Sequence, residues 1–133
     1  MHEGGCQCGA IRYRASGEAR HNAICHCADC RASSGAPMVA WLCIDEDGLE
    51  LLQGEPATYV RESGAERQFC PACGTGLFYR NAKFLPGQVD IQTATLDDPA
   101  AAPPQAQVQC AERLGYVKEL ADLPEFEHFP APE

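Results

Sequence analysis

Residues 37–44 read Pro-Met-Val-Ala-Trp-Leu-Cys-Ile, eight positions without a polar side chain. A strand with one face in water alternates apolar and polar residues, whereas a run apolar on both faces belongs in the middle of a sheet covered on two sides. The run ends at Asp45-Glu46-Asp47-Gly48, whose Asp-Gly pair is a hairpin turn signal, and Leu49 to Leu52 is short and apolar enough to be the return strand. Upstream, Ile11-Arg12-Tyr13-Arg14 alternates with the period of a half-buried strand. Downstream, Tyr59-Val60-Arg61-Glu62, then Ser63-Gly64, then Glu66-Arg67-Gln68-Phe69 reads as a second hairpin. Further strands are predicted over Gly76–Arg80 and Gln88–Thr93, with short helical turns over Cys27–Ser34 and Leu120–His128. From Asp98 to Gln107 the chain is rich in Pro and Ala without periodicity, which reads as a surface crossing. The fold class expected is therefore mainly β, in one domain over residues 1–133.

Nineteen acidic against ten basic side chains give a formal net charge of −9, which disfavours phosphate backbones and anionic membranes. No nucleic-acid and no membrane partner is expected. No stretch approaches the roughly 20 apolar residues of a membrane span, and residues 1–15 lack the apolar core of a signal peptide, so the expected location is cytoplasmic. The oligomeric state is not legible.

Nine cysteines in such a chain are too many to ignore and too oddly numbered to pair completely. In a reducing compartment clustered thiols are more often metal sites than disulfides, since thiolate is the soft ligand that zinc selects. Seven fall into three groups, Cys6 and Cys8, then Cys25, Cys27 and Cys30, then Cys70 and Cys73. Cys43 and Cys110 stand alone and read as small buried or half-buried apolar residues.

Cys70-Pro71-Ala72-Cys73-Gly74 is a zinc-knuckle sequence, two sulfurs gripping one ion with a trailing glycine that permits the tight turn. Cys6-Gln7-Cys8-Gly9 supplies two more thiolates with a glycine in the equivalent place. Together the pairs make a closed four-sulfur site, which is a structural rather than a reactive arrangement. Cys25-His26-Cys27-Ala28-Asp29-Cys30 offers three sulfurs. His26 between two of them would point to the opposite face of an extended segment. Three thiolates leave one coordination position open, as a reactive zinc site does. Water, a substrate or a protein group such as His26 would take the fourth place, and a metal-free dithiol redox cluster is the competing reading.

These groups resemble the glutathione-dependent formaldehyde-activating enzymes, the centromere-protein-V/GFA domain family. The resemblance rests on Gly5–Tyr13, on Cys25–Arg31 with Ser34-Gly35-Ala36 behind it, on Arg67–Thr75, on Val89–Pro99 and on Leu123–Phe126. It implies a tent-like fold of antiparallel sheets with zinc sites and few short helical turns. It also implies two zinc ions per chain, a structural one on Cys6, Cys8, Cys70 and Cys73 and a second on Cys25, Cys27 and Cys30. The activity implied is that of a carbon–sulfur lyase joining glutathione to formaldehyde as S-hydroxymethylglutathione, with a small thiol such as glutathione as partner.

Glutathione carries two carboxylates, so Arg31 and Arg67 are candidate substrate contacts, and Trp41 is a core residue or an apolar wall. Arg31 could instead offset the charge of a three-thiolate zinc, and Arg67 could pair with Asp97 or Asp98. Asp29 and His26 are the proton-transfer candidates nearest the three cysteines, although neither is assigned as a base. Asp97-Asp98-Pro99 reads as a turn initiator, and His2, His21 and His128 as surface residues. Besides an enzyme acting on a thiol adduct, a non-catalytic zinc module for a protein partner and a thiol redox protein fit these residues.

Overall fold

The structure, a computed structural model, describes residues 1–130. Among these residues the chain forms β1 (His2–Gly5), β2 (Arg12–Ala15), β3 (His21–Cys25), α1 (Ala28–Ser34), β4 (Val39–Asp45), β5 (Leu49–Gln53) and β6 (Ala57–Val60). It continues through β7 (Glu66–Phe69), β8 (Gly76–Arg80), β9 (Gln88–Gln92) and β10 (Ala106–Val108), with five 3-10 segments between and after them. One sheet has the order β1-β2-β5 and the other β10-β3-β4-β9-β8-β7-β6. Every pairing is antiparallel except β10 on β3. The fold is mainly β with one seven-residue α-helix among the described residues.

Strand β4 organises both cores. Leu42 and Ile44 pack with Ile11, Tyr13, Phe78, Val89 and Ile91 in the layer shared by the two sheets. Val39 and Trp41 pack with Cys25 and Cys30 against α1. Both faces of the apolar run at residues 37–44 are thus covered, which is why it carries no polar position. Tyr13 is fully buried, meets Phe78 edge-on at 5.2 Å and places its hydroxyl 2.7 Å from Thr95 Oγ1, so its one polar atom is satisfied.

Helix α1 starts and stops for local reasons. Cys27 is its N-cap, with the sulfur accepting the Cys30 N–H at 3.3 Å, and Asp29 places a negative charge in the first turn. Gly35 ends it in the left-handed conformation, φ 67°, donating its N–H to Arg31 O.

Four expectations are corrected. Leu49–Gln53 does not return beside β4, whose two edges are already taken by β3 and β9; it pairs with β2 in the other sheet. The 3-10 turn Glu46–Gly48 makes this crossing, and Ser16 N–H donates to Gly48 O at 2.9 Å. A side chain at Gly48 would sit 2.1 Å from Ser16 O, so only glycine lets the two backbones approach there. The Pro/Ala crossing contains a parallel edge strand, β10, that three non-alternating residues could not announce. Cys110 is exposed rather than half-buried, and the terminal helical turn lies at Gly115–Asp122, earlier than the predicted 120–128.

Phe78→Ala is expected to lower unfolding free energy by about 3–5 kcal/mol, because it empties the layer between the sheets. Tyr59→Ala, at a side chain 58 % exposed on the edge strand β6, is expected to stay within about 0.5 kcal/mol. Urea denaturation of the two variants checks the difference.

Candidate metal centres

The turn between β1 and β2 carries Cys6 and Cys8, and the turn between β7 and β8 carries Cys70 and Cys73. The two turns are built alike. Cys6 N–H donates to Ile11 O and Gly9 N–H to Cys6 O, while Cys70 N–H donates to Thr75 O and Gly74 N–H to Cys70 O. Gly9 and Gly74 have φ of 80° and 82°, the left-handed conformation each turn requires. The turns face each other, with Gln7 N–H reaching Thr75 Oγ1 at 3.0 Å, and all four sulfurs lie within 4.8 Å of one another. Metal–sulfur bonds of about 2.3 Å in a tetrahedron set neighbouring sulfurs about 3.8 Å apart. The Cys6–Cys8 and Cys8–Cys70 sulfurs are 3.6 and 3.8 Å apart, so the set fits a tetrahedral ion.

Without an ion the four thiols share charge unevenly. The Thr75 hydroxyl and N–H hold Cys73 down at about 5. Cys8 is lowered by the Ala10 N–H, but its neighbouring sulfurs push it up to about 11. For Cys6 burial opposes ionisation, yet the Ile11 N–H, 3.2 Å from its sulfur, and the Cys8 and Cys70 thiols together bring it below the ordinary thiol value.

Cys25 ends β3, Cys27 caps α1 and Cys30 lies in its first turn, so strand end and helix start bring three sulfurs within 4.8 Å. Burial pushes Cys25 up to about 12. For Cys27 burial acts upward, but the Cys30 N–H together with the Cys30 and Cys25 thiols brings it below the ordinary thiol value. The three sulfurs line a cavity of about 650 Å³ walled by Trp41, Tyr79 and Arg67, a volume typical of small-molecule sites.

The predicted neighbours divide. Arg67 is 11 % exposed, stacks 4.9 Å over the Tyr79 ring, approaches Cys30 Sγ at 3.8 Å and donates to Asp29 Oδ2 at 2.8 Å. Its carboxylate partner is therefore Asp29; Asp97 pairs with Arg12 instead, and Asp98 starts the 3-10 turn Pro99–Ala101. Arg67 Nε is buried without a partner beside the cavity. Arg31 does not reach the cavity lining: its guanidinium donates to the carbonyls of His26 and Glu112, tying α1 to the segment after β10. His26 is buried, contacts Gln107 Oε1 through Nε2 at 2.8 Å and is not among the groups that converge with the three sulfurs. Arg67 holds the Asp29 carboxyl below the usual range, with help from Arg61. Trp41 is both core, at 5 % exposure, and cavity wall.

Sequence reading missed Tyr79, Asp90 and β10 in the cavity wall. The cross-strand register aligns His21 with Cys43, Cys43 with Asp90, Asp90 with Tyr79 and Tyr79 with Arg67 in one row across five strands. The alternation of β8 and β9 held a signal, but which residues share the row depends on strand order.

The profile of the glutathione-dependent formaldehyde-activating enzyme family matches residues 1–112. The chain belongs to this family. An uncharacterized lyase of Schizosaccharomyces pombe (strain 972 / ATCC 24843) is 36 % identical over 84 residues, 62 % of this chain and 61 % of that protein. The match therefore spans less than two thirds of that relative's length. A crystal structure of a Rhodobacter sphaeroides protein has a TM-score of 0.61 at 22 % identity, over 80 % of this chain and 99 % of that one, a likeness of fold. No helix among the described residues is long and apolar enough to cross a membrane.

In the metal-stripped protein Cys73 is expected to react with iodoacetamide before Cys8, although Cys8 is the more exposed. The Cys73 rate should be flat near neutrality and fall as pH drops through about 5, where its thiolate is protonated. Peptide mass spectrometry of timed reactions checks the order.

Proposed function

We propose that this protein is a zinc-dependent carbon–sulfur lyase-type enzyme acting on a thiol adduct, with glutathione and formaldehyde as the substrate pair. The observation that carries the proposal is the convergence of Cys25, Cys27 and Cys30 on the wall of a cavity sized for a small molecule. Family membership and the lyase name of the Schizosaccharomyces pombe relative support the reaction class.

Each of the two sulfur sets would hold one zinc ion. Cys6, Cys8, Cys70 and Cys73 would close around one ion and tie the turn of the smaller sheet to that of the larger. Cys25, Cys27 and Cys30 would hold the other. Bound there, zinc supplies an open position at which a substrate thiol gives up its proton.

The chain's own residues do the rest. Trp41 and Tyr79 give the cavity apolar walls that exclude water around the reacting sulfur. Arg67 offsets the negative charge of the three thiolates, and its guanidinium on the cavity wall is the donor for a substrate carboxylate. Asp29 locks that guanidinium by a hydrogen bond on its other side. In the forward reaction a carbon–sulfur bond forms between thiol and formaldehyde, the carbonyl π bond breaks, and the thiol proton ends on the new hydroxyl oxygen. Positioning of the thiol against the aldehyde is the main contribution, since three thiolate ligands would leave a bound zinc a weak Lewis acid. Arg31 acts at one remove, by holding the end of the Cys25–Cys30 segment against the later chain.

Calorimetric titration of glutathione into zinc-loaded protein is expected to give saturable binding that Cys27→Ser abolishes. Arg67→Ala should weaken it by roughly tenfold or more, the scale of one lost hydrogen bond to a charged group. No binding to protein carrying two zinc ions per chain would remove glutathione as the ligand and favour an architectural second ion.

A further inference from the structure

A third set of donors lies outside both sulfur clusters. His21 on β3, Cys43 on β4 and Asp90 on β9 sit side by side in register on three adjacent strands. An imidazole nitrogen, the thiol sulfur and a carboxylate oxygen of these residues lie within 4.8 Å of one another. Two features separate this set from a chance contact. First, it mixes nitrogen, sulfur and oxygen on the rigid centre of a sheet, where neighbours hold each side chain. Second, the Asp90 side chain is only 9 % exposed, and its Oδ1 is buried without a hydrogen-bond partner. His21 Nε2, 2.9 Å from that oxygen, is its one close partner, as an ion pair. A buried carboxylate oxygen held only by a half-exposed imidazole can still take a cation.

We propose that His21, Cys43 and Asp90 form a third metal site, for a divalent transition ion of borderline softness such as zinc or cobalt(II). Imidazole, thiolate and carboxylate are all zinc ligands, and three protein ligands leave a coordination position open. Ligand atoms around a tetrahedral zinc stand about 3.3–3.8 Å apart, so the observed spread needs only small side-chain shifts to close on an ion. His21 and Asp90 line the cavity that Cys25, Cys27 and Cys30 also line. The half-exposed His21 is the point of entry, with a side chain 41 % accessible. His21 and Cys25 are four residues apart on β3, about 13 Å at roughly 3.3 Å per residue, so the site is separate from the three-sulfur set. Cys43 makes one competing contact, donating to Gln88 Oε1 at 3.4 Å. On metal binding it breaks that hydrogen bond and releases its thiol proton to solvent, the ordinary course for a ligating cysteine.

The inference stands apart from the lyase reading, and the test keeps the two apart. Wild type, Cys43→Ala and His21→Gln are dialysed to equilibrium against buffered zinc and the ions per chain counted. The same comparison is made in a background with Cys25, Cys27 and Cys30 changed to serine. Both variants are expected to hold one ion fewer than their parent in either background. With cobalt(II), the wild type minus Cys43→Ala difference spectrum should contain a sulfur-to-cobalt charge-transfer band. Equal counts in parent and variants, with no such band, would overturn the site and leave His21 and Asp90 as a simple ion pair. If Cys43→Ala fails to fold, His21→Gln at the more exposed position decides alone.

Discussion

Four sulfurs held within 4.8 Å of one another cannot all ionise unaided. Two unit charges about 4 Å apart repel by roughly 4 kcal/mol at an effective dielectric near 20, and each sulfur here has three such neighbours. The set therefore titrates as a unit, with Cys73 drawn down to about 5 and Cys8 driven up to about 11. The backbone has nevertheless arranged N–H groups toward these sulfurs, Ile11 to Cys6 and Cys73 to Cys70. Donors aimed at sulfur favour thiolate, while crowding opposes it, and a cation at the centre reconciles the two. Because one turn belongs to the three-stranded sheet and the other to the seven-stranded sheet, the same constraint sets how the sheets meet.

From that junction the larger sheet carries the cavity. Five of its seven strands align a row of side chains from His21 through Cys43, Asp90 and Tyr79 to Arg67, and α1 lies over the end where Cys25 and Val39 pair. The apolar run with which β4 begins serves two ends. Its Leu42 and Ile44 close the layer between the sheets, and its Trp41 walls the cavity on the other face. Stability and site are thus built on opposite sides of one strand, so a substitution at Trp41 acts on the cavity without opening the main core.

Much of this was legible because it is local. The two-faced strand β4, the β6–β7 hairpin, the bounds of β8, the short helix after Cys27 and the glycines behind each cysteine pair all follow from a few adjacent residues. What was missed depends on strand order. Leu49–Gln53 is a strand as expected, but the partner it chooses is decided by which edges of β4 are free. β10 is three residues long and gains its identity from β3. His21 was read as a surface residue because nothing nearby in sequence explains it; its meaning comes from Asp90, sixty-nine positions later and two strands away. A strand arginine such as Arg67 suggests a carboxylate across the sheet such as Asp97 or Asp98, whereas the helix start brings Asp29 to it.

The charge pattern around Cys25, Cys27 and Cys30 explains why Asp29 and two arginines gather there. Three thiolates around a divalent ion leave one surplus negative charge. Asp29 lies between the guanidinium groups of Arg61 and Arg67, a trio with one surplus positive charge. The two surpluses match, so with an ion in place the helix start and its partners are neutral as a group. Such a group attracts anions only weakly at long range, and the chain's net charge of −9 opposes their approach. Recognition of an anionic ligand at this cavity would then rest on short contacts, with the Arg67 guanidinium on its wall. Asp29 consequently matters less as a proton carrier than as the group that decides how much of Arg67 is left for a ligand.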